Sequence, residues 1–194
     1  LIDIVTPRQY QLHGIWSGPD KPERVFIFVH GLTANFFSGK MIFPLAGDKT
    51  SVLSFNNRGR DIVSKLKHLN PDNPKGYDSE IAGTAHEVFE DCVDDIEGAV
   101  EFAQRRGARQ IYLVGHSTGC QKSIFYLSKT NNKQEVSGVI LLCPLSDYAH
   151  VAGNGDKTQY EKALAFARKE VKAGRAHTFI PAELWPGELL DAQR

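Results

Sequence analysis

Residues 111–120 read Ile-Tyr-Leu-Val-Gly-His-Ser-Thr-Gly-Cys. Four apolar, strand-forming residues lead into a serine that has a glycine two positions away on each side, and Ile124, Phe125 and Leu127 then begin a helical pattern. A strand that turns directly into a helix leaves its corner residue in a strained backbone conformation, with the side chain lifted above the sheet edge. Gly115 and Gly119 suit that corner because strand and helix pass too closely there for a Cβ. The arrangement predicts a nucleophile elbow with Ser117 at the helix N-terminus, where unpaired N–H groups and the helix dipole favour developing negative charge. The bare pattern is weak, since 17 glycines and 11 serines in 194 residues give about 0.08 chance copies of G-x-S-x-G. The apolar run leading in and the helical period leading out supply the weight. The competing reading is a tight Gly-Ser turn.

A nucleophilic serine in acyl transfer needs N–H donors for the oxyanion. One is expected from the residue after it, Thr118, and a second from the loop after an earlier central strand. The run VFIFVHGLTAN (residues 25–35) fits the second requirement and makes the N–H of Leu32 the candidate. A plain strand-ending turn at His30-Gly31 is the alternative.

Composition bounds the class. The chain is 41% hydrophobic and 24% charged, enough for one domain with a sizeable core and a small accessory piece. Lys plus Arg and Asp plus Glu are equal at 23 each, so charge does not ask for nucleic acid or an anionic membrane. Cys92, Cys120 and Cys143 are too few for a disulfide framework and point to a reducing, cytoplasmic setting. The apolar runs at 25–29 and 139–143 fall short of the roughly 18 residues of a membrane span. The first residue is Leu1, and the ending ELLDAQR looks like the opening turns of a helix, which suggests a fragment and leaves a removed leader open.

Strand-like runs alternating with helical ones predict an α/β fold with a mostly parallel sheet. The expected strands are 9–16, 24–30, 51–56, 110–115 and 138–143, with 1–5 at an edge. The apolar runs VFIFV, IYLV and VILLC are expected at the centre. Thr84 and Glu87 have capping-box spacing ahead of Val88, Phe89, Cys92, Val93, Ile96, Ala99, Val100 and Ala103, so a helix is expected from there to Gly107. A helix follows Ser117, and another covers 158–173 with Tyr160, Leu164, Ala167 and Val171 aligned. The run at 70–79, NPDNPKGYDS, reads as one long surface loop.

VHGLTAN, the FNNRGRD segment after the next strand and LVGHSTGCQ together resemble the α/β-hydrolase superfamily, in matching order from about Arg24 to Pro144. The HSTGCQ form resembles a poorly characterised branch of it. Arg58-Gly59-Arg60-Asp61 departs from the RGHG-like segment of many relatives. The resemblance implies a serine esterase, lipase, thioesterase or peptidase, with Ser117 as nucleophile and the N–H groups of Leu32 and Thr118 as oxyanion donors. It also implies an acid and then a histidine after the serine in chain order. Asp147 is the candidate acid, against a capping or pocket-lining role. His150 and His177 are the histidines beyond Ser117, and each also suits a packed or exposed position in a cap. His116, the neighbour of Ser117, should point elsewhere. Truncation within a cap would account for a missing acid and histidine.

Other chemistries find little support. Gly39-Lys40 is followed by Met41 rather than Ser or Thr, no G-x-G-x-x-G follows a strand, and no Cys or His pair has metal-ligand spacing beyond His116 and Cys120 in the elbow. Arg58, Arg60, Lys65 and Lys67 read as a solvated surface loop, or as a preference for an acidic substrate. The reading is therefore a hydrolase core over 1–145 and part of a helical cap over 146–194, with Leu164, Phe166, Phe179 and Trp185 as pocket or cap-core residues. The expected reaction is hydrolysis of a carboxylic ester or thioester through an acyl-Ser117 intermediate, with no cofactor or metal and a small-molecule substrate. Acyl transfer to another acceptor, and non-catalytic binding of a small molecule, are the alternatives.

Overall fold

The computed structural model describes residues 1–132, 135–146 and 157–193. Among these residues eight strands form one sheet: β1 (Ile2–Val5), β2 (Tyr10–Ser17), β3 (Arg24–Val29), β4 (Thr50–Phe55), β5 (Ser64–Leu69), β6 (Tyr77–Ala82), β7 (Gln110–His116) and β8 (Gly138–Leu142). Their order is β6-β5-β2-β4-β3-β7-β8, with β1 paired to β2. The helices are α1 (Cys92–Arg105), α2 (Thr118–Lys129) and α3 (Lys157–Lys172).

The expected α/β class holds, but the sheet is mixed rather than mostly parallel. β3 pairs in parallel with β4 and β7, and β7 with β8. The β1-β2, β2-β4, β2-β5 and β5-β6 pairs are antiparallel. The reading missed β5 and β6 because SKLKHL and YDSEIA bring only Leu66 and Ala82 into the core. Cross-strand pairing from Ser64↔Ala82 to Leu69↔Tyr77 holds this hairpin. The expected long loop shrinks accordingly, and Asn70 and Asn73 close it by donating to Asp78 at 2.7 and 2.8 Å.

β3 and β7 are buried on both faces, as their apolar runs require. Val25, Ile27, Val29, Ile111 and Leu113 join Leu53, Phe55, Ile96, Val100 and Tyr126 on one side. Phe28 and Val114 join Ile42 and Val52 on the other, under a 3-10 segment at Phe36–Leu45. Each such fully buried apolar side chain contributes roughly 1.5–3 kcal/mol. β8 was expected at the centre but borders the described sheet, leaving Ile140 and Leu141 exposed. All three cysteines are free thiols, and among the described residues no helix is long and apolar enough to cross a membrane.

Helix boundaries shifted where side chains found other partners. α1 begins at Cys92 rather than after a Thr84–Glu87 capping box. Thr84 Oγ1 instead donates to the Gly59 carbonyl and accepts from the Thr33 N–H, both at 2.8 Å, while Glu87 pairs with Lys122. Ile96, Ala99, Val100 and Ala103 are buried at the predicted period. On α2 the inward residues are Gly119, Lys122, Ser123 and Tyr126, whereas Ile124 is exposed. In the ending ELLDAQR, residues 188–193 are not helical: Asp191 bridges Phe179, and the Asp191 N–H donates to the Ala85 carbonyl at 2.9 Å.

Two buried polar networks fasten the loops to this frame. Arg58 donates through Nε and its own N–H to Asp95, both at 2.7 Å, and also pairs with Asp91 and Asp94. Burial opposes its charge, but the pull of Asp95 and Asp91 outweighs burial and raises its pKa above the ordinary value. In the second network Lys122, fully buried, pairs with Glu87 and lies 3.4 Å from Asn57 Oδ1. The Asn57 N–H donates to His30 Nε2 at 3.1 Å, which places the His30 proton on Nδ1, 2.9 Å from the Gly31 carbonyl. Burial first, and the nearby Lys122 charge second, push the His30 pKa down to about 3.

Arg58→Ala should leave the buried Asp95 without its charged partner, while Asp91 and Asp94 keep their bonds to Arg8, and cost about 3–5 kcal/mol in urea unfolding; a loss within experimental error would refute the role given to this cluster. For His30 the unfolded chain takes up a proton near the ordinary histidine value of 6.5 and the folded chain only near 3. Stability is therefore fully present above 6.5 and declines as pH falls toward 3, by up to about 1.4 kcal/mol per pH unit from this group. His30→Gln should flatten that decline, and equal slopes for the two proteins would show that His30 is not its source.

Candidate active site

The turn from β7 into α2 carries Ser117 at φ 53°, ψ −126°, a left-handed backbone that a residue with a Cβ adopts only when its surroundings force it. The forcing groups are visible. A Cβ on Gly119 would lie 2.8 Å from the Val29 carbonyl carbon and closer still to its oxygen, and one on Gly115 would lie 2.5 Å from the Gly119 carbonyl oxygen. Both glycines thus permit the close approach that the sequence pattern implied. The Ser117 N–H donates to the Leu142 carbonyl at 3.0 Å, and the Ser117 carbonyl accepts from the Cys120 N–H at 2.9 Å. These bonds tie the turn to β8 on one side and to the first turn of α2 on the other.

The loop after β3 meets this turn. An added Cβ on Gly31 would sit 3.0 Å from Ser117 Cβ and 3.2 Å from the Thr118 nitrogen, so the His30–Leu32 backbone lies against Ser117 and Thr118. Among the described residues no recorded hydrogen bond uses the N–H of Leu32 or of Thr118. His30 and Asn57 fix this loop from beneath, and Thr84 fixes it from the side through Thr33, itself at φ 54°. The chain here can present a hydroxyl beside two backbone donors. His116 turns away, as expected, with its ring stacked on Phe28 at a centroid separation of 6.4 Å.

Among the described residues no histidine or carboxylate hydrogen-bonds the Ser117 hydroxyl. The candidates Asp147 and His150 lie outside the described residues. His177 is engaged elsewhere, its Nδ1 2.9 Å from Asp191 Oδ2. His86 Nδ1 meets that same oxygen at 2.9 Å. Sequence reasoning passed over both His86 and Asp191, and no local signal marks them, since they lie 105 residues apart. Phe179 packs its ring against His86 at 5.3 Å and Trp185 lies 6.5 Å from Tyr160. These two of the four suggested pocket aromatics and aliphatics therefore pack within or beside the C-terminal segment.

A cavity of about 530 Å³ lies between β2, β5 and residues 73–79. Arg60, Lys65, Lys67 and Lys75 line it with Asn57, Tyr77 and Asp78; Leu32, Ser117 and Thr118 do not. The basic residues noted in the sequence thus share one polar cavity beside the hairpin rather than an exposed loop, and that cavity is separate from the serine.

Comparison with known proteins agrees with the fold. The chain is 27% identical over 155 residues to a tear acid lipase-like protein of Mesocricetus auratus, an alignment covering 75% of this chain and 37% of that protein. It is similar to the Pyrococcus furiosus esterase Pf2001, with a TM-score of 0.55, 16% identity and coverage of 91% of this chain and 60% of that one. It is also similar to the monoacylglycerol lipase of Paleococcus ferrophilus, with a TM-score of 0.52, 21% identity and coverage of 82% and 50%. The chain thus spans less than two thirds of the length of each of these relatives. A family described as a protein of unknown function, DUF1749, matches residues 79–193. That match takes in more than half of the chain, including the Ser117 turn and the Asp191 segment, so this α/β-hydrolase-fold chain belongs to the DUF1749 family.

Proposed function

We propose that the chain carries the nucleophile half of a serine hydrolase acting on carboxylic esters or thioesters. The observation that carries this reading is the left-handed Ser117 at a strand-to-helix turn, beside two backbone N–H groups without a recorded partner. In this proposal the turn is a nucleophile elbow. Ser117 Oγ attacks the acyl carbon, and the N–H groups of Leu32 and Thr118 receive the oxyanion. The acyl-serine then passes to water, or to another acceptor in an acyltransferase. Each donor is worth about 3–4 kcal/mol of transition-state stabilisation, so the His30–Asn57–Lys122 network matters to rate as the support that positions Leu32. No cofactor enters this scheme.

Carboxylic esters are the favoured substrate class because the similar proteins are named as esterases and lipases. Asp147, in the segment after β8, is the proposed acid. The histidine that would activate Ser117 is proposed to lie in the part of the relatives' length that this chain does not span. Residues from about 146 onward are proposed as the first part of a cap. Small-molecule binding without catalysis is the second reading, favoured by the lack of an imidazole on the Ser117 hydroxyl among the described residues.

Intact-mass analysis after fluorophosphonate treatment, on this chain and on the full gene product, separates these readings. The expected result is an adduct on Ser117 of the gene product, absent from Ser117→Ala, with ester hydrolysis in that variant falling on the order of a million-fold. A gene product that remains unlabelled would overturn the hydrolase reading in favour of binding. Strain at Ser117 gives a second expectation. Ser117→Gly should be more stable than Ser117→Ala by about 1 kcal/mol in thermal unfolding, and the opposite order would show that the turn is not strained.

A further inference from the structure

We propose that His86, His177 and Asp191 hold a zinc ion that clasps the C-terminal segment onto the loop after β6. Each residue offers one ligand atom, and the three atoms lie within 4.8 Å of one another. Both imidazoles direct Nδ1 at the same oxygen, Asp191 Oδ2, each at 2.9 Å. The other carboxylate oxygen, Oδ1, accepts the Gln193 N–H at 3.1 Å, so the carboxylate is oriented from its own segment. Donors around a four-coordinate zinc stand roughly 3.3 Å apart, given bond lengths of about 2.0–2.1 Å. To admit the ion, the two N–O separations of 2.9 Å would widen by a few tenths of an ångström, and the two imidazole nitrogens, which lie within 4.8 Å of each other, would settle to a similar spacing.

The donor set narrows the choice to first-row metals that take imidazole, of which zinc is the one proposed. Two imidazole nitrogens and one carboxylate oxygen suit zinc, whereas calcium and magnesium call for oxygen ligands and copper(I) for sulfur. Each imidazole would ligate through Nδ1 with its ring proton on Nε2. The carboxylate is fully buried, the His86 side chain is 12% exposed and the His177 side chain 76%. The site is therefore anchored on the core side and open on the His177 side, where water can supply a fourth ligand.

The position gives the ion a structural consequence. His86 stands at the end of the short turn Thr84–His86, whose Thr84 hydroxyl joins the Thr33 and Gly59 loops. Asp191 is bonded through its N–H to the Ala85 carbonyl of the same turn. An ion shared by His86, His177 and Asp191 would fix the C-terminal segment against the loops that surround Ser117. Motif spacing could not reveal it, because its ligands come from residues 86, 177 and 191.

The test is metal binding by the chelator-stripped chain, read as zinc content after dialysis, as visible absorption on cobalt(II) substitution and as thermal stability with and without zinc. The expected result is one zinc per chain, cobalt bands of a four-coordinate site and a higher unfolding temperature in zinc. His177→Ala removes only an exposed side chain, so it should fold normally while binding zinc at least about 100-fold more weakly; His86→Ala should lose the site as well. Absence of stoichiometric zinc, or equal binding by wild type and His177→Ala, would overturn the proposal. Ser117→Ala should bind zinc like wild type, so failure of the hydrolase reading leaves this result untouched.

Discussion

The constraint on which the rest depends is the contact of α2 with the end of β3. The two backbones come so close that position 119 has no room for a Cβ beside the Val29 carbonyl. That proximity fixes the rotation of α2, with Gly119, Lys122, Ser123 and Tyr126 inward and Ile124 outward. It requires the chain to leave β7 through a single sharp corner, and the corner residue takes up the strain as a positive φ. It also lays the Gly31–Leu32 backbone against Ser117 and Thr118. One steric fact thus produces the corner serine, the adjacent N–H groups and the glycine pattern together.

The same rotation explains the buried charge. With Lys122 turned inward, its ammonium would be very costly to hold without partners, and Glu87 and Asn57 meet it. Glu87 could not then cap a helix, which is one reason that α1 begins five residues later. Asn57 is shared between Lys122 and His30, so the helix that carries Ser117 and the loop that carries Leu32 are coupled through one buried amide. Replacing such a network by apolar residues can be neutral for stability. Its value here lies in setting the spacing of two backbone segments, which hydrophobic packing specifies less sharply.

Legibility in the sequence followed the range of the interaction. The corner at Ser117 was readable because strand, turn and helix signals are contiguous, and β3 and β7 because two-sided burial leaves an apolar run. The β5–β6 hairpin was hidden because cross-strand pairing rather than core burial holds it, and SKLKHL carries no clear alternation. The VILLC run misled in the opposite direction: it is as apolar as a central strand, yet Ile140 and Leu141 are exposed at the border of the described sheet. The Thr84–Glu87 capping spacing was a local match overruled by partners 25 and 35 residues away. Asp191 with His86 could be found only in three dimensions.

The loops around Ser117 share one further property, which bears on how the site would keep its shape. Thr84 Oγ1 joins the loop after β3, at Thr33, to the loop after β4, at Gly59, with a hydrogen bond of 2.8 Å on each side. Asp61 N–H reaches the Ala34 carbonyl at 3.0 Å, and Asn35 donates to the Asp61 carboxylate at 2.9 Å. Loops held only by their own ends open readily, whereas these are cross-linked to each other and, through Asn57 and Arg58, to α2 and α1. The backbone N–H groups beside Ser117 are therefore held in place by these cross-links, and under the proposed function they would need no rearrangement when negative charge develops beside them. The same hub passes through Ala85 and His86 to the Asp191 segment, so the C-terminal segment rests on loops that are bonded to one another.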